Sequence, residues 1–170
     1  MEIKDLPYTT GEDYPHLTID DTDKNAVNIL KNLYASCGSE TTAILQYIYQ
    51  SYVVEPKEKE IADILSKIAL VEMHHHQQLG KAIVMLGGVP FYTNSQGVPF
   101  SARCIYDGGN LKQMLLANIN AESLAIQSYN NAIAKINNQS IKQLLSRIVQ
   151  DEELHKKTFE CLLEYVSFYK

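Results

Sequence analysis

Long apolar runs are missing from this chain. No stretch of its 170 residues approaches ~18 uninterrupted apolar side chains, so no membrane-spanning helix is expected. Runs of Lys or Arg are missing too. With 15 basic against 20 acidic residues the net charge is −5, which makes nucleic acid and anionic membranes poor partners. Met1 is followed by Glu2, Lys4 and Asp5 rather than by a basic and then an apolar segment, so no secretion signal is read and a cytoplasmic location is expected. Cysteine is scarce: Cys37, Cys104 and Cys161 are odd in number, widely spaced and without a C-x-x-C pair. That excludes a thiolate-bound zinc or iron site and fits a reducing compartment. What remains is ordinary, with 45% apolar and 21% charged residues, close to the soluble globular average. The length is that of one domain, and 1–170 is read as a single unit.

Residues 1–22 carry Pro7, Gly11 and Pro15 and show no sustained period. They are read as an extended arm whose Tyr8, Tyr14, Leu17 and Ile19 lie along the body or cross to a second subunit. Asp20-Asp21-Thr22-Asp23 marks a helix start, with capping side chains at the positive end of the dipole. From there Leu30, Leu33, Cys37, Glu40, Ile44, Tyr47, Ser51 and Val54 alternate three and four apart, which predicts one helix with a single inward stripe. Pro56 stops it. A second stripe runs Ile61, Ile64, Ile68, Glu72, His75, Leu79, Ile83 and Leu86 to Gly87-Gly88, a C-cap signal. A third runs Leu111, Leu115, Asn118, Glu122, Ile126, Tyr129 and Ile133, turning at Asn137-Asn138, and a fourth Ile141, Leu144, Ile148, Glu152, His155, Phe159, Leu162 and Val166. Between them, 87–110 holds five of the eight glycines and two of the five prolines. A loop that long needs a reason, and a crossover along the bundle supplies one. The fold expected is all-α: two antiparallel helix pairs joined by a long crossover.

The halves repeat. Glu40-x-x-Ala43-Ile44-x-x-Tyr47 matches Glu122-x-x-Ala125-Ile126-x-x-Tyr129, and Glu72-x-x-His75 matches Glu152-x-x-His155. All these charged groups sit on apolar stripes near the middle of their helices. Buried carboxylates are costly unless paired, and four together repel. Four carboxylates carry −4, which two divalent cations cancel, while two imidazoles complete the donors; oxygen with imidazole nitrogen suits iron or manganese. On spacing alone His76 could replace His75, but its counterpart in the repeat is Lys156, so His75 is chosen. His74 and His76 are read as solvated or interface histidines, with a role beside the site as the other reading. Tyr47 and Tyr129, two turns beyond a glutamate, need partners if buried, and the carboxylates are the obvious ones. Asp151 could hold an imidazole N–H from a neighbouring helix. Asn118 could play a similar supporting part, and Cys37 is read as a small core residue.

These motifs resemble the ferritin-like di-iron carboxylate proteins across all four helices. The resemblance is closest to the bacterioferritin and rubrerythrin branches, whose first-helix glutamate is also followed by a tyrosine seven residues on. The resemblance implies that Glu40 and Glu122 are terminal ligands, that Glu72 and Glu152 bridge, and that His75 and His155 each bind one of two Fe ions, or Mn, or a mixed pair. Three departures stand out. Rubrerythrins carry another third-helix glutamate where this chain has Ala125, they usually carry a rubredoxin module, and cage-forming ferritins have a short fifth helix. The expected function is a dinuclear-metal oxidoreductase acting on hydrogen peroxide or dioxygen, of the rubrerythrin-like peroxidase or catalase type. Tyr47 and Tyr129 would assist catalysis, and a peroxidase would need a separate electron donor. The alternative is a ferroxidase or iron-storage protein. A homo-oligomer is expected, a dimer favoured.

Overall fold

The structure, a computed structural model, describes residues 3–169; Met1 and Glu2, the start of the arm, and Lys170 lie outside the described residues. Five α-helices follow one another: α1 (Lys24–Ala35), α2 (Glu40–Val54), α3 (Lys59–Met85), α4 (Leu111–Lys135) and α5 (Gln139–Tyr169). Short 3-10 turns occupy Ile3–Asp5 and Ala102–Cys104. No strand forms among the described residues beyond a single bridge, Thr93 to Pro99, and no helix is long and apolar enough to cross a membrane.

Local chemistry sets the helix ends. Asp23 accepts a bond from the Ala26 N–H at 2.9 Å and caps α1. Gly87, at φ 84°, ends α3, and the Gly88 N–H closes back on the Ile83 carbonyl at 2.8 Å. Asn110 and Gln113 form a reciprocal capping box that opens α4. The Asn138 side chain accepts from the Ile141 N–H at 3.0 Å at the start of α5.

α2 packs chiefly on α3 and α4 on α5, giving two antiparallel pairs. The fold is a ferritin-like four-helix bundle in which α1 and α2 together take the place of the first helix. That division departs from the single helix expected from the stripe. Ser36–Ser39 break it, with Gly38 at φ 75°, a conformation that costs any residue with a Cβ. Three local bonds seal the gap: Thr41 Oγ1 donates to the Tyr34 carbonyl at 2.7 Å, Ser36 Oγ to the Asn32 carbonyl at 2.6 Å, and the Gly38 N–H to Thr42 Oγ1 at 3.2 Å. Nor is Cys37 a core residue. It is exposed and disulfide-bonded to Cys104 in the crossover.

The core has two apolar halves. One gathers Leu30, Leu79, Ile83, Leu144 and Ile148; the other gathers Ile61, Ile68, Leu115, Phe159 and Leu162. On α3 the buried residues between the halves are Glu72 and His75, and on α5 they are Asp151, Glu152, His155 and Thr158. The polar residues therefore form a layer sealed above and below by aliphatic packing, which keeps bulk water out.

Candidate metal centre

Each helix delivers its donors at one level. Glu40 is the first residue of α2, and Glu122 lies mid-way along α4. Glu72 and His75 are one turn apart on α3, and Glu152 and His155 on α5, so each pair shares a helix face. All six are buried, none more than 4% exposed. Their donor atoms fall into two overlapping sets, Glu40, Glu72, His75 and Glu152, and Glu72, Glu122, Glu152 and His155, with the atoms of each set within 4.8 Å of one another. Glu72 and Glu152 belong to both sets.

Both imidazoles turn Nδ1 inward. His75 Nδ1 lies 3.0 Å from Glu72, 3.2 Å from Glu152 and 3.7 Å from Glu40. His155 Nδ1 lies 2.8 Å from Glu72 and 3.3 Å from Glu152. The outward nitrogens are held differently. His75 Nε2 donates to Asp151 Oδ2 at 3.2 Å, whereas His155 Nε2 donates to the backbone carbonyl of Tyr8 at 2.9 Å. Asp151 thus does hold an imidazole from a neighbouring helix. It also accepts from the Thr10 N–H (2.9 Å) and the Tyr14 hydroxyl (2.7 Å), and pairs with Arg147 at 2.9 Å.

The tyrosines cross over between the halves. Tyr47 of α2 donates to Glu122 Oε1 at 2.5 Å, and Tyr129 of α4 donates to Glu40 Oε1. Both phenols are pushed above their ordinary range by burial, and then by the carboxylates they face.

Without cations, protons must balance the charge. Glu40 is pushed well above the usual carboxylate range by burial, then by the charges of Glu72 and Glu152. Glu122 is pushed up in the same way, by burial and then by Glu152 and Glu72. For His75 burial opposes protonation, but the charge of Glu152 and the hydrogen bond to Asp151 outweigh it and hold the imidazole well above its ordinary value. His155 follows, with Glu72 the leading counter-charge. Burial likewise resists the charge on Glu72, yet His155 and His75 keep it below the normal range. Glu40, Glu122, His75 and His155 are thus drawn toward their protonated forms in the positions where two divalent ions would supply positive charge. With four carboxylates and two Nδ1 atoms facing inward and both Nε2–H groups tied outward, the donors fit a pair of oxygen- and imidazole-seeking ions.

Beside the cluster lies a cavity of about 40 Å³, walled by Ser39, Glu40, Tyr47, Ala121, Glu122 and Ala125 and reaching exposed Gly38 and Ser128. One small molecule fits.

Other residues fall outside the cluster. His76 stacks on Tyr34, ring centroids 4.0 Å apart, and His74 meets the Tyr14 ring at 4.6 Å. Asn118 does not support the donors; it accepts from Gln46 at 2.9 Å and donates to Gln50 at 2.7 Å in a buried amide ladder. Sequence reasoning missed the arm's part. Besides Tyr8, the Pro7 carbonyl accepts from Thr158 at 2.6 Å, and the Glu12 carbonyl accepts from Arg147 at 2.8 Å. Backbone carbonyls leave no trace in side-chain pattern.

Comparison with known proteins agrees with this geometry. A probable manganese catalase of Clostridium acetobutylicum is 24% identical over 160 residues, covering 82% of this chain and 70% of that protein. The crystal structure of a manganese catalase from Anabaena superposes with a TM-score of 0.85 at 26% identity, over 95% of this chain and 81% of that one. The bacterioferritin of Desulfovibrio desulfuricans shares the fold, with a TM-score of 0.72 at 22% identity over 84% of this chain and 80% of that one. The rubrerythrin family model matches residues 31–163, a span that takes in all six inward donors and both tyrosines, and the chain belongs to the rubrerythrin family.

Proposed function

We propose that the chain is a dinuclear-metal catalase, disproportionating hydrogen peroxide to water and dioxygen. Glu40, Glu72, His75, Glu122, Glu152 and His155 hold the two ions, and manganese is the metal assigned. The observation that carries this reading is that Glu72 and Glu152 belong to both four-donor sets, so the six residues would hold two ions as one redox unit. The similarity to manganese catalases supports the metal and the substrate. Glu40 and Glu122 would complete the carboxylate donors, and His75 and His155 would supply the imidazole donors.

When bound, the metal pair supplies two-electron exchange with peroxide. The chain does the rest. The cavity admits a molecule of peroxide size. Tyr129 and Tyr47 fix the carboxylates of Glu40 and Glu122, both of which line that cavity. The aliphatic halves above and below exclude water, which strengthens each interaction inside. Disproportionation uses one peroxide as the reductant and a second as the oxidant. Glu40 and Glu122, drawn toward protonation by their surroundings, are placed to take a proton from the first as it is oxidised and return one to the second as it is reduced. The cycle then needs no outside electron donor.

Oxygen evolution tests the proposal. Protein loaded with Mn(II) should release one dioxygen for every two peroxides consumed, without added reductant. Consumption that requires an external donor would assign a peroxidase instead, and rapid Fe(II) oxidation in a particle of many subunits would assign iron storage.

A further inference from the structure

The Cys37–Cys104 disulfide is not used by the chemistry above, yet its position is not neutral. Cys37 lies in the break between α1 and α2, three residues before Glu40, and Cys104 ends the 3-10 turn of the crossover. Their Cα atoms are 5.2 Å apart and 67 residues apart in sequence. The bond therefore ties the later part of the crossover to the gap between α1 and α2. Gly38 and Ser39, the next two residues, form part of the cavity wall. Cys37 is exposed and Cys104 half-buried, so solvent-borne reagents reach the bond. Cys161 packs in the other apolar half, with Phe159 and Leu162, and does not compete for either partner.

We propose that Cys37 and Cys104 are a reversible thiol–disulfide site, oxidised by hydrogen peroxide and reduced by a dithiol, that holds the mouth of the cavity in place. The balance is simple. Two thiols and one peroxide give the disulfide and two waters; a dithiol returns two electrons and two protons, regenerates both thiols and leaves as its own disulfide. In a reducing compartment such bonds are transient and commonly sense oxidants. Here the oxidant is the proposed substrate, so peroxide fixes the entrance through which it passes.

Three features make the break responsive. The Gly38 backbone has no neighbour within 4 Å of where a Cβ would stand, so the turn has room to move. Ser39 opens α2 without a side-chain capping bond, and its hydroxyl is buried without a partner, so the first turn of α2 is weakly anchored. Across the gap the remaining ties are the local ones from Ser36, Thr41 and Thr42. On the crossover side, the Tyr106 N–H donates to Gln46 Oε1 at 2.9 Å, so release of Cys104 loosens the loop outward from that point rather than freeing all of it.

Only the identity of the oxidant rests on the proposed catalase reading, and the test separates the two. Differential alkylation with peptide mass mapping follows each cysteine in native protein. Treatment with dithiothreitol should free Cys37 and Cys104, and one equivalent of hydrogen peroxide, added to metal-free protein after the dithiothreitol is removed, should re-form their bond with Cys161 unchanged. Amide exchange over 36–44 should then run about tenfold faster in the reduced form, and a chelator should strip Mn(II) faster to a similar degree. Cys37→Ser should behave as the reduced form whatever the redox state. Thiols that stay blocked until the protein is denatured would overturn the proposal, as would equal exchange rates in the two forms. If the protein binds no Mn(II), the catalase reading fails while amide exchange still decides this one. If Cys37→Ser does not fold, the reduced and oxidised wild-type forms still decide it.

Discussion

Glu72 and Glu152 differ from Glu40 and Glu122 in a way that metal content can read. The first two belong to both donor sets and the others to one each. Glu72→Gln or Glu152→Gln should therefore lose both ions, and Glu40→Gln should keep close to one; elemental analysis of protein loaded with excess Mn(II) checks this. The tyrosines call for a different measurement. Tyr47→Phe or Tyr129→Phe leaves a buried glutamate oxygen without its donor, and a hydrogen bond to a charged group is worth about 1.5–3 kcal/mol. Turnover should fall about 10- to 100-fold with metal content retained. His76 makes a prediction about stability. Burial lowers its pKa from 6.5 to about 4, and its Nε2 has no hydrogen-bond partner. The unfolded chain takes up this proton before the folded one does, so the contribution is complete above pH 6.5 and is lost as pH falls toward 4. Because the ring is half-buried, solvent screening reduces it to about 1–2 kcal/mol. His76→Phe, which preserves stacking on Tyr34, should flatten the pH dependence of unfolding in that window.

At the scale of elements, the break between α1 and α2 tests how local geometry and packing share control. Gly38→Ala places a Cβ where nothing obstructs it, so its whole cost is the left-handed backbone at φ 75°, about 1 kcal/mol. Thermal unfolding should show a drop of about 2–4 °C. This element also marks where sequence legibility ends. The stripes of α3, α4 and α5 could be read because each is one uninterrupted helix whose inward residues repeat every three or four positions. The donors could be read because carboxylates on an apolar face need an explanation and the two halves give the same one. The break was hidden because Leu33, Glu40 and Tyr47 keep helical spacing across it and all three are buried. Ser36-Cys37-Gly38-Ser39 was the available signal: a small-residue cluster of the turn-forming kind. The pairing of Cys37 with Cys104, and the arm's carbonyls on His155, Thr158 and Arg147, are contacts between segments far apart in sequence, which no periodicity encodes.

For the whole molecule, the polar layer between two apolar halves sets a balance between protons and cations. In the metal-free chain, burial and mutual repulsion draw Glu40 and Glu122 toward protonation, and counter-charge draws His75 and His155 the same way. The protons these shifts favour offset part of the repulsion that four bare carboxylates would exert on the helices. Cations must displace these protons in order to bind, because carboxylate oxygens and imidazole Nδ1 coordinate only when deprotonated. Loading two Mn(II) near neutral pH should therefore release about four protons per chain, and affinity should rise steeply with pH. Calorimetry in buffers of different ionisation enthalpy measures the release directly. A surface-bound pair of ions, leaving the buried groups untouched, would release close to none. Because binding requires the folded layer, it also stabilises that fold. At a free metal concentration about 100 times Kd the gain is about 2.7 kcal/mol per ion. Two ions should then raise the melting temperature by roughly 10–20 °C for a chain of this size, and a chelator should reverse the rise. An unchanged melting curve together with no proton release would mean that the six inward donors hold no metal.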